Sequence, residues 1–81
     1  MCIDERIIDT VSRRFKLLRQ AAGWTAQQVA AELGVSRQTI VNYETQKTPF
    51  TKMHCLAYLA VLNDRAEEVP DLRKILKAVL A

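Results

Sequence analysis

Seven basic side chains lie between residues 10 and 54: Arg13, Arg14, Lys16, Arg19, Arg37, Lys47 and Lys52. Only Glu32 and Glu44 oppose them, so this stretch carries +5 while the rest of the chain carries −2. A basic centre within a mildly acidic periphery suits a polyanionic partner such as nucleic acid. Catalytic chemistry has no comparable set. His54 stands alone, the acidic residues are dispersed and no Ser/His/Asp grouping is present, so no enzyme is expected. Cys2, His54 and Cys55 are too few, at the wrong spacing, for a structural zinc site. Two cysteines make no disulfide framework, which points to a reducing cytoplasm. Cys55 reads as a small core residue. Neither a cofactor nor a small-molecule ligand is expected.

The elements that must position these side chains are helical. At 81 residues, 49% hydrophobic and 26% charged, the chain has the length of one domain and the profile of a soluble globular protein. Two Gly and two Pro leave room for long regular segments rather than many short strands. The longest apolar run, Cys55 to Leu62, is far short of the roughly 18 residues of a membrane span. Asp4, Glu5 and Asp9 make the N-terminus unlike a signal peptide.

A first helix is expected from about Asp4 to Ala22, with Ile7/Ile8, Val11, Phe15, Leu18 and Ala22 on its buried face. Gly23 stops it. Thr25 then caps a second helix, and Gln28 three residues on completes a capping box. Val29, Ala30 and Leu33 form its apolar stripe, and Gly34 ends it. Ser36 caps a third helix to Glu44, with Ile40 and Tyr43 inward. Thr45 to Phe50 reads as a loop. A fourth helix follows Thr51, from Lys52 to Leu62, with Leu56, Leu59 and Leu62 inward and Asn63 and Asp64 at its end. Pro70 and Asp71 mark the start of a fifth helix over about 70–80.

Small residues set the central geometry. Ala30 permits close approach of a neighbouring helix, Gly34 supplies a positive φ, and Ile40 plugs the gap between the two helices. With two N-caps and a two-residue turn between them, this is the pattern of a helix-turn-helix. The run from Gly23 to Glu44, with "GWT" before the second helix and "LGVSRQTI" across the turn, resembles the Cro/cI (XRE-type) transcriptional regulators over roughly residues 11–64.

That resemblance implies an all-α, five-helix lambda-repressor-like DNA-binding domain, with the helix-turn-helix in helices 2 and 3 and an extra C-terminal helix. The domain spans 1–66, and residues 67–81 form a helix that dimerises or packs on the domain. The third helix would enter the major groove. Arg37, Gln38, Thr39 and Asn42 match the base-contacting positions; Arg can grip guanine, and Gln or Asn adenine, in bidentate fashion. Thr25, Gln27, Ser36, Tyr43 and Lys47 are the expected phosphate contacts. Arg19 and Glu44 match a structural ion pair. Ala26 departs from the family, which usually carries Gln there to bond a phosphate; Gln27 and Gln28 stand beside it, but neither is expected to point the same way. Thr45-Gln46 likewise replaces a commoner glycine-containing turn.

Trp24 is expected to pack as a staple before the second helix. Leu72, Ile75, Leu76, Val79 and Leu80 exceed what one small core needs, so a homodimer interface is expected there. The expected function is sequence-specific double-stranded DNA binding by a dimeric repressor in a bacterial or phage-encoded cytoplasmic system. The alternative is a protein-interaction module, such as an antitoxin held by a small protein toxin.

Overall fold

Side-chain caps set most of the helix starts in the computed structural model, which describes residues 4–81. Asp4 accepts from the Ile7 amide at 3.0 Å and opens α1, Glu5–Arg13. Thr25 accepts from Gln28 at 3.1 Å and opens α3, Ala26–Leu33. Ser36 accepts from Thr39 at 3.2 Å and opens α4, Arg37–Glu44. Thr51 accepts from His54 at 3.2 Å and opens α5, Lys52–Ala66. Two helices lack such a cap. One is α2, Phe15–Ala21, which follows directly on α1. The other is α6, Pro70–Leu80, which has proline at its first turn instead. The described residues contain these six helices and no strand; Cys2 lies outside them.

The first expected helix is therefore two, and the helix-turn-helix falls on α3 and α4. The break sits at Arg14, whose φ of −100° and ψ of 9° depart from helical values. Just before it, the Gln46 amide nitrogen donates to the Ser12 carbonyl at 3.2 Å. A side chain from a distant loop thus engages a backbone acceptor of the helical ladder, a known cause of helix kinks.

Phe15, Leu18, Val29, Ile40, Tyr58, Leu62 and Leu72 meet in one core that draws on all of α2 to α6, with Val11 added by α1. The Phe15 and Tyr58 rings stack at 4.0 Å, and the Tyr58 hydroxyl donates to the Phe15 carbonyl at 2.8 Å. Burial raises the Tyr58 phenol well above its ordinary value and pushes the Cys55 thiol up.

Two expectations for the C-terminal half need correction. Leu56 does not face inward; it is 43% exposed. It lies six residues before Leu62 and so ~120° around the helix. The buried face of α5 is Cys55, Tyr58, Leu59, Leu62 and Ala66, which also carries the helix past Asn63 and Asp64. Second, Leu72 and Leu76 are not available for dimerisation. Helix α6 folds back on α5, α2 and α1, and both leucines are buried in the chain's own core. Ile75, Val79 and Leu80 are partly buried at the edge of the same packing.

Candidate nucleic-acid interface

Three successive helix ends use the same hydrogen-bond pattern, and together they aim α4. After α2, Trp24 donates to the Arg19 carbonyl at 3.1 Å and Gly23 to Gln20 at 3.0 Å. After α3, Val35 donates to Ala30 at 3.0 Å and Gly34 to Ala31 at 3.4 Å. After α4, Lys47 donates to Asn42 at 2.9 Å and Gln46 to Tyr43 at 3.2 Å. Each is a Schellman closure, which needs a left-handed residue at its fifth position. Gly23 and Gly34 supply it with φ of 76° and 70°. At the third end a glutamine does so: Gln46 has φ 63°. Its side chain is held by Ser12 Oγ at 3.2 Å and by the Tyr43 carbonyl at 3.3 Å, besides the Ser12 carbonyl.

The turn between α3 and α4 leaves Gly34, Val35 and Ser36 outside both helices. Ala30 and Ile40 are fully buried at the crossing, as close packing of the two helices requires. Glu44 closes α4 and meets Arg19 of α2, with Nε to Oε2 at 2.7 Å and Nη2 to Oε1 at 3.2 Å. The third guanidinium nitrogen, Nη1, donates to the Trp24 carbonyl at 2.9 Å. The two side chains are only 13% and 11% exposed, so this bidentate pair is largely shielded from water. Its hydrogen bond to Glu44 holds the Arg19 guanidinium above its ordinary value despite the burial. Trp24 is half-buried against the core, with the Arg65 guanidinium 6.0 Å from its ring.

Arg37 and Gln38 are exposed on the first turn of α4, and Asn42 is half-buried one turn on. The Gln38 amide donates to Asn42 Oδ1 at 3.0 Å, so these two are oriented together before any partner arrives. Thr39 is half-buried, its hydroxyl 3.0 Å from that of Ser36. Val41 is a further candidate that the sequence reading did not single out. It lies three and four residues after Gln38 and Arg37, on their face of the helix, and is half-buried. That spacing was the available signal.

The expected phosphate-binding residues divide. Thr25, Gln27, Ser36 and Lys47 are exposed around the two helix starts and the end of α4. Gln28 cannot replace the missing glutamine at position 26, because its Oε1 accepts from the Thr25 amide at 2.8 Å within the capping box. Gln27 remains free in position and exposed. Tyr43 is a correction: it is 3% exposed, and its hydroxyl is bonded to His54 Nδ1. Packed edge-on against Phe50, it ties the last turn of α4 to the first turn of α5 rather than facing outward.

The Helix-turn-helix family model matches residues 15–67. No curated protein and no solved structure matches the chain.

Proposed function

From the premise that this chain belongs to the helix-turn-helix family of the Cro/cI (XRE) type, a family of DNA-binding regulators, we propose that it is a sequence-specific transcriptional repressor. It would bind a palindromic operator as a dimer, with α4 in the major groove. The observation that carries this reading is the outward stripe of Arg37, Gln38, Val41 and Asn42 on a helix braced by the Arg19–Glu44 pair. Arg37 suits guanine O6/N7, the Gln38–Asn42 pair suits adenine, and Val41 suits a thymine methyl. Free amides at the starts of α3 and α4, with Thr25, Gln27, Ser36 and Lys47 around them, suit the flanking phosphates.

The test is selection of bound fragments from a random DNA pool at physiological salt. The expected product is a palindromic motif with half-sites about 34 Å apart. Replacing Arg37, Gln38 and Asn42 together by Ala should erase the preference, each contact contributing ~1–3 kcal/mol. Recovery of no motif, with binding that disappears on modest addition of salt, would leave only a basic surface. Ala26, which offers no side-chain donor where relatives use glutamine, favours a second reading as a protein-interaction module such as an antitoxin. Copurification with a small toxin would move that reading to first place.

A further inference from the structure

Three large apolar side chains stand exposed among the described residues, and two of them, Met53 at 76% and Leu56 at 43%, belong to one face of α5. Ala60 is exposed and Ala57 half-buried on the same face, so the strip from Met53 to Ala60 is apolar and narrows to small residues. Its two ends differ in charge. Exposed Lys52 stands at the N-terminal end, and exposed Asp64 and Glu67 stand at the C-terminal end. Among the described residues, neither Lys52 nor Asp64 takes part in an ion pair.

We propose that this face of α5 is the surface on which a second copy of the chain docks, antiparallel, about a twofold axis near residue 58. The inference rests on the dimeric reading above and assigns the surface that makes the dimer. A twofold contact must be self-complementary: whatever one residue meets, its counterpart meets in return. Antiparallel pairing satisfies this at both ends at once, with Lys52 of each copy against Asp64 of the other. At the centre, Leu56 of each copy falls over Ala60 of the other, a large side chain into the space left by a small one. Parallel pairing would set like charges side by side. The face also has a direct link to the groove-reading helix. Only residues 45–51 separate α4 from α5, and the Tyr43–His54 hydrogen bond joins the two helices. A contact through α5 therefore fixes where both copies of α4 stand.

Sedimentation equilibrium of the full chain tests this, with circular dichroism confirming that each variant stays folded. The wild-type chain should be dimeric. Leu56→Glu, which would place a charge at the centre of the contact, should weaken association a hundredfold or more, on the order of the cost of burying an unpaired charge. Lys52→Glu and Asp64→Lys should each weaken it about tenfold, because the symmetry repeats every repulsion twice. The double variant should regain dimerisation. A wild-type dimer indifferent to Leu56→Glu would place the interface elsewhere and leave the dimeric reading standing. Failure of the double variant to recover would overturn the antiparallel register. A wild-type chain that is monomeric both alone and on its selected DNA would overturn the dimeric reading, and this surface with it.

Discussion

Arg19 and Glu44 show how one pair of side chains can set the direction of a whole helix, here α4. Arg19 reaches Glu44 at the end of α4 and the Trp24 carbonyl before α3, so a single guanidinium joins three segments. Lysine in its place keeps the charge but not the fork, and loses at least one of these contacts. Glu44→Gln leaves the guanidinium without a counter-charge in a shielded site. We expect Arg19→Lys and Glu44→Gln to cost about 2 and 3 kcal/mol in chemical denaturation, with weaker DNA binding at temperatures where both remain folded. Equal stability of Glu44→Gln and wild type would reduce the pair to a surface contact.

The three Schellman closures show how elements are joined. Two of them use glycine where a left-handed residue is needed, and these were legible in the sequence as Gly23 and Gly34. At the third, the resemblance marked a turn at Thr45-Gln46, but not which residue is left-handed, because glutamine is not a residue that announces positive φ. It holds that conformation through hydrogen bonds to Ser12 and Tyr43, made across 34 residues of chain and within α4's last turn respectively. Strain and bonding therefore oppose each other at Gln46. Gln46→Ala keeps the strain and loses the bonds, so it should destabilise by ~1 kcal/mol or more. Gln46→Gly loses the bonds but removes the strain, and should be more stable than Gln46→Ala by about 1 kcal/mol. Thermal melts of the two variants check the order; the reverse order would mean that the turn is not strained.

At the scale of the whole molecule, stability should depend on pH through the buried Tyr58. Its phenol is raised above the ordinary value of 10.0 chiefly by burial, with the charge on Glu44 adding to the effect. The folded state therefore keeps this proton where the unfolded chain releases it. The corresponding stability is complete below the unfolded value and is lost as pH rises beyond it. Denaturation midpoints should fall above about pH 10. Tyr58→Phe should cost roughly 1 kcal/mol at neutral pH, by loss of the bond to the Phe15 carbonyl, and should show a shallower alkaline decline. An identical decline in both proteins would assign it to other groups.

The sequence by itself determined the local features: the caps at Thr25, Ser36 and Thr51, the glycine ends at 23 and 34, and the Ala30–Gly34–Ile40 pattern. Each depends on residues a few positions apart, so periodicity and capping chemistry suffice to read it. The family resemblance extended this to the Arg19–Glu44 pair. Only the tertiary structure decided the rest. The break at Arg14 accompanies the Gln46 contact to Ser12, and the burial of Tyr43 depends on Phe50 and His54 around it. Which leucines of α5 and α6 face the core followed from how those helices pack. Leu56 and Leu72 are the same residue type, yet one is exposed and the other buried. Side-chain chemistry sets which residues can be buried; the contacts between distant segments select which of them are.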